Sequence, residues 1–209
     1  MEKSYITKDC QLFTVNQMKL WPQKKWKQIV LVVVLALIVV FVAFATFGGL
    51  LLSGAISREV VSEIDVLNPD GDKTALVVYQ PGFSSFASDA SHAFAEGLAS
   101  SGWRVEITTA SSEAPSDLSG YSLLTLAYPV YGGTVGTAIV NYVNRISDFY
   151  EIDTVIIATQ GGDDPSVTID TLKQQVQAAN GKFLEGLSLS TADASALESA
   201  QQAGSNITP

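Results

Sequence analysis

Residues 75–102 read ALVVYQPGFSSFASDASHAFAEGLASSG, and their organisation decides the fold class. Residues 75–79 (Ala-Leu-Val-Val-Tyr) are a continuous apolar run of strand length with no polar alternation, the mark of a strand buried on both faces. A turn-rich stretch, Gln80-Pro81-Gly82-Phe83-Ser84-Ser85-Phe86, follows at once. Beyond it Ala87, Ala90, Phe94 and Leu98 recur at helical spacing, and Gly102 closes the stretch. Strand, short loop and amphipathic helix thus come in the order of a βα unit.

The pattern repeats downstream. Residues 104–108 alternate (Arg-Val-Glu-Ile-Thr), predicting a strand near an edge with one wet face. Residues 123–128 and 154–158 are further buried-strand runs, separated by a helical stripe of Val135, Ile139, Val143 and Ile146. Asp164 reads as an N-cap with Pro165 at the first helical position, Ile169, Leu172, Val176 and Ala179 as the stripe, and Gly181 as the stop. A fifth strand over 183–187 and a last helix over 192–203 complete the series. The class is α/β, a doubly wound sheet of five parallel strands. Residues 110–121 depart from it, because they leave room for one short helical turn only.

Upstream the chain changes character. Residues 29–52 carry no charge, and at about 1.5 Å of rise each they reach roughly 36 Å, enough to cross a hydrocarbon core of about 30 Å. The run is longer than a signal-peptide core and has 27 residues before it, which favours an uncleaved anchor. The expected organisation is a basic segment (1–27), a transmembrane helix (28–57), a linker (58–72) ending in the turn Asn68-Pro69-Asp70-Gly71, and one α/β domain (73–209). Residues 1–27 hold six lysines against two acidic side chains, net +4, whereas residues 58–209 hold six basic and nineteen acidic ones, net −13. The positive-inside rule then predicts a single-pass protein of the cell membrane, with the N-terminus cytoplasmic and the domain outside. Trp21 and Trp26 beside the lysines suit the interface. The single cysteine, Cys10, allows no intrachain disulfide, and the acidity of residues 58–209 argues against nucleic acid as a partner of the domain.

Ligands of open α/β sheets bind at the carboxyl ends of the strands, where strand order reverses. Three loops matter there. Gln80–Phe86 places Gly82, Ser84 and Ser85 at a helix N-terminus, as phosphate donors or simply as a cap. The second loop, Pro129-Val130-Tyr131-Gly132-Gly133, sets an aromatic beside two glycines, either to stack on a flat ring or to make a turn. The third, Thr159-Gln160-Gly161-Gly162-Asp163-Asp164, either lets a ligand approach the backbone or turns into a capped helix. His92, the only histidine, reads as a surface residue, and one His with one Cys offers no zinc set. No catalytic residue stands out. Asn206-Ile207-Thr208 matches a glycosylation acceptor pattern.

With these loops the sequence resembles the flavodoxin family in its short-chain form, over about residues 73–207. Asp117-Leu118-Ser119-Gly120-Tyr121, an apolar strand and Pro129–Gly133 look like the family's approach to an isoalloxazine ring, and residues 194–204 are similar to its closing helix. The resemblance implies strand order 2-1-3-4-5 and flavin mononucleotide (FMN) at the switch point. FMN would lie on Gly82, Ser84, Ser85, Pro129, Tyr131, Gly132, Gly133, Thr159, Gln160, Gly161 and Gly162. It further implies electron transfer, with a basic redox partner steered by the acidic surface. The phosphate loop departs from the family's Ser/Thr-x-Thr-Gly-Asn-Thr: Pro81 takes the first hydroxyl position, and Ser84-Ser85-Phe86 replaces Gly-Asn-Thr. That leaves two alternatives open, a flavin-free binding or interaction module and an FMN-dependent reductase of quinone-like acceptors.

Overall fold

The computed structural model describes residues 23–56, 59–162 and 164–209, with side chains of the first helix described over 25–46. Cys10, Trp21, Arg58, Asp163 and the lysines before residue 23 lie outside the described residues. Helix α1 (Gln23–Ile56) contains the 22-residue span Lys25–Thr46, which is long and apolar enough to cross a membrane, with its side chains exposed, Trp26 among them.

The α/β unit runs β1 (Asp65–Leu67), β2 (Thr74–Tyr79), α2 (Phe86–Ser100), β3 (Arg104–Thr109), β4 (Leu123–Pro129), α3 (Thr137–Arg145), β5 (Asp153–Gln160), α4 (Ser166–Ala178), β6 (Lys182–Ser190) and α5 (Ala196–Ser205). The sheet order is β1-β3-β2-β4-β5-β6. Its last five strands are parallel, and numbered among themselves they give 2-1-3-4-5. The expected count of five strands is corrected to six: Asp65–Leu67, in the stretch read as linker, pairs antiparallel with β3. The physical reason is the free edge of β3, whose unpaired backbone groups need covering. Further back in the chain, Ser62 and Val60 bond Thr108 and Thr109 at the end of β3.

Side chains of successive strand residues point to opposite faces, and both faces are buried. Leu76, Val78, Leu124, Leu126, Tyr128 and Ile156 pack with Ile139, Val143, Leu172 and Val176 of α3 and α4. Ala75, Val77, Val155 and Ile157 pack with Phe94, Leu98, Ala196 and Ala200 of α2 and α5. Residues 110–122 form no helix, and Ala114, Leu118 and Tyr121 cover that part of the sheet instead. The stop of α4 also needs correcting. Asn180 holds the left-handed position at φ 65°, and Gly181 is needed for space, since a Cβ there would sit 2.5 Å from Cγ1 of Val176.

On β3, Arg104 and Glu106 share a face two residues apart and form an ion pair at 2.9 Å. Tyr121 Oη donates to the other carboxylate oxygen of Glu106 at 2.7 Å. Burial alone would raise the Glu106 carboxyl, but the hydrogen bonds from Tyr121 and Arg104 and the Arg104 charge outweigh it, leaving its pKa below the ordinary 4.5. A depressed carboxylate contributes stability that is present above its unfolded pKa and lost as pH falls through the folded one. Glu106→Gln should therefore flatten the loss of stability below pH about 4.5, as measured by urea melts across that range.

Candidate functional site

The three loops do meet. They lie at the carboxyl ends of β2, β4 and β5, on either side of the reversal in strand order between β2 and β4. Backbone bonds tie the floor together: Gln80 N–H to Ala127 O at 2.8 Å, Val130 N–H to Thr159 O at 2.8 Å, and Thr191 N–H to Gln160 O at 2.9 Å. Between them is a cleft of about 110 Å³ lined by Gly82, Ser84, Pro129, Tyr131, Thr159, Gln160 and Gly161 among others. Ser85, Gly132, Gly133 and Gly162 do not line it.

Each outlier has a local reason. Ser85 caps α2 by position without a side-chain cap bond, and its hydroxyl donates to Asp89 Oδ2 at 2.7 Å. Gly132 and Gly133, at φ 61° and 69°, are the two left-handed residues of a tight turn closed by the Tyr131–Thr134 bridge. They stand exposed at its tip. Gly162 is exposed at the approach to α4. Asp164 acts one residue earlier than expected: Pro165 is the N-cap of α4, and the Asp164 carboxylate accepts from Ser166 N–H at 2.9 Å. That bond holds its pKa below the ordinary carboxylate value. His92 is half-buried rather than a free surface group, with its ring edge-on to Tyr79 at 5.8 Å.

Two residues missed in the sequence shape the site. Thr191 lines the cleft because β6 runs to Ser190, three residues beyond the expected end. Gln80, buried to 2% exposure, turns its side chain away from the cleft, and its Oε1 accepts from Ile139 N–H at 3.2 Å. It thereby caps α3, whose own N-cap is Gly136 and supplies no side chain. A Cβ at Gly136 would lie 2.2 Å from Oε1 of Gln80, so the glycine makes room for this long-range cap. Gln80→Ala should cost about 1–2 kcal/mol, read by chemical denaturation, because it strips the cap and leaves a buried amide unmet.

The dominant feature is a bridge across the mouth. Phe83 N–H, in the first loop, donates to Tyr131 Oη, in the second, at 2.8 Å. Their rings meet with centroids 4.9 Å apart at 54°. Gly82 permits this approach, since a Cβ there would stand 2.7 Å from Tyr131 Oη. Phe83 is 58% exposed, so its ring covers the bridge from the solvent side.

These facts test the group that the flavodoxin resemblance implies. For a phosphate at the N-terminus of α2, the loop still offers the Ser84 hydroxyl and the amides of Gly82 and Ser84, which make no bond among the described residues. Pro81 offers no N–H, the Phe83 amide is taken by Tyr131, and Asp89 holds the Ser85 hydroxyl. For the ring, 110 Å³ compares with the roughly 300 Å³ or more of pockets that bury a cofactor-sized ligand. The donors suit a phosphate. The room does not suit the ring while Tyr131 stays on Phe83.

No protein-family model and no curated protein sequence matches the chain. Solved structures do. The chain is similar to a flavodoxin from the domain Archaea (11% identity, TM-score 0.54, 64% of this chain and 95% of that one). It is similar to two-electron reduced Megasphaera elsdenii flavodoxin (13%, 0.52, 64% and 99%). A flavodiiron core from Synechocystis also matches (14%, 0.55), and there the likeness covers 66% of this chain but only 36% of the other. At such identities the likeness shows the fold: this α/β unit is flavodoxin-like.

Proposed function

We propose that the protein is a membrane-anchored flavodoxin-like electron-transfer protein that takes FMN into this cleft once the Tyr131–Phe83 bridge opens. The observation that carries the reading is the convergence of three loops at the strand-order reversal, with donors of Gly82 and Ser84 at the N-terminus of α2 that are unpaired among the described residues. Flavin, when bound, would supply one- and two-electron redox chemistry. The chain's residues would do the rest. Ser84 and the loop amides would hold the phosphate, Phe83 N–H would join them when Tyr131 leaves it, and Tyr131 would cover the ring. Thr159, Gln160 and Gly161 would bound the far side.

The apolar span Lys25–Thr46 supports an anchor, and the lysines of residues 1–27 support a cytoplasmic N-terminus with the domain across the membrane. The −13 charge of residues 58–209, with Asp89 and Asp164 beside the site loops, favours a partner with a basic surface.

The bridge and the small cleft favour a second reading, a flavin-free module that keeps the fold for binding. Full-length protein in detergent, incubated with FMN and desalted, separates the two. Retention of the yellow flavin bands at about one per chain supports the first, and a colourless protein supports the second.

A further inference from the structure

Parallel strands of one sheet usually need a helix in the crossover that joins them, and the connection from β3 to β4, which passes over β2, has none. In that region lies a cavity of about 240 Å³, lined by Glu59, Ser111, Ser112, Asn141, Tyr142 and Arg145 among others. Arg145, at the end of α3, reaches back to the connection. Its Nη1 donates to Ser112 O at 2.6 Å and its Nη2 to Ser111 O, with the guanidinium 5.6 Å over the Tyr142 ring. These bonds use two of its five donors. Among the described residues Arg145 forms no ion pair.

Two further groups stand in the wall. The Ser111 hydroxyl is buried and has no hydrogen-bond partner among the described residues, a state that asks for an explanation. The Ser112 N–H donates to the carboxylate of Glu59, which arrives from the exposed segment before β1. A backbone donor bound to a carboxylate from elsewhere in the chain, a cation in no close ion pair and an orphaned hydroxyl therefore share the lining of one cavity.

We propose that this cavity is a carboxylate-binding site, that Glu59 is its built-in occupant, and that a small free carboxylate takes the place when Glu59 withdraws. The occupant itself argues the ligand class, because a planar carboxylate already sits on the Ser112 amide beside a planar fork. Arg145 supplies the positive charge, which already acts on Glu59, and Ser111 supplies a donor left idle among the described residues.

The test follows the Ser112 amide resonance of isotope-labelled full-length protein in detergent, titrated with sodium succinate against sodium chloride at matched ionic strength. Glu59→Gln removes the internal competitor and should bind succinate about tenfold more tightly than the parent chain. Adding Ser111→Ala should then weaken succinate about fivefold while leaving the melting temperature unchanged or higher, since the lost hydroxyl bonds nothing in the protein. The proposal is overturned if Glu59→Gln shows no saturable shift, if chloride shifts the resonance equally, or if Ser111→Ala leaves the affinity unaltered. Tighter binding of inorganic phosphate than of succinate would overturn the carboxylate assignment.

Discussion

Tyr131→Phe is expected to tighten FMN binding about five- to tenfold, a gain of roughly 1 kcal/mol or slightly more. The substitution keeps the ring that would cover the flavin and removes only the hydroxyl that accepts from Phe83 N–H at 2.8 Å. Opening the bridge then costs less, and an amide at the N-terminus of α2 becomes available to phosphate. The gain follows population-shift arithmetic: a ligand that binds only the open form is weakened by the fraction of molecules that stay closed. Tyr131→Ala separates latch from cover, because it also removes the ring contact with Phe83, which has centroids 4.9 Å apart. If the ring stacks on bound flavin, alanine should bind FMN less tightly than phenylalanine. Fluorescence titration of both variants beside the parent measures this. Equal affinities in all three proteins would show that Tyr131 neither latches nor covers the site.

Gly204→Ala should destabilise the α/β unit by about 2–3 kcal/mol, although alanine is the better helix former by about 1 kcal/mol. Helices α2 and α5 meet backbone to backbone on one face of the sheet. A Cβ at Gly204 would lie 2.2 Å from Phe94 O, and one at Gly97 would lie 2.1 Å from Gln201 O. Carbonyl oxygens of a helix cannot rotate aside as a side chain can, so relief requires moving α5 off Phe94 and Leu98 of α2. For a unit of this size the melting temperature should fall about 5–10 °C. Gly120→Ala serves as control, since a Cβ there meets nothing within 4 Å. A Gly204→Ala protein that melts with the parent would show that the two helices are not packed this closely.

Much of this architecture was legible in the sequence, for a physical reason. A parallel sheet covered by helices on both sides buries both faces of its strands, so 75–79, 123–128 and 154–158 stand out as apolar runs with only Thr125 and Thr154 among them. The stripe Ala87, Ala90, Phe94, Leu98 is wholly buried on α2. What escaped depends on contacts between segments far apart in the chain. Asp65–Leu67 carries no strand signal of its own and pairs because β3 would otherwise expose an edge. Gln80 looks like a loop residue until α3 is folded against it, 59 residues later. The Gly132–Gly133 pair left turn and ring approach open, and the turn accounts for both backbone angles. The Phe83–Tyr131 bridge is a side-chain event across 48 residues, which periodicity does not carry. The missing crossover helix was visible as a short connection, whereas Arg145 reaching the carbonyls of Ser111 and Ser112 was not.

The central claim is that a phosphorylated flat heterocycle and Tyr131 compete for the same loop. Isothermal titration of the full-length protein in detergent with FMN, run on the parent chain and on Tyr131→Phe, addresses it directly. The account predicts saturable binding near one FMN per chain in both, tighter in the variant by about five- to tenfold. Absence of binding heat in both proteins, each still cooperatively folded, would contradict it and leave a flavodoxin-like module without flavin.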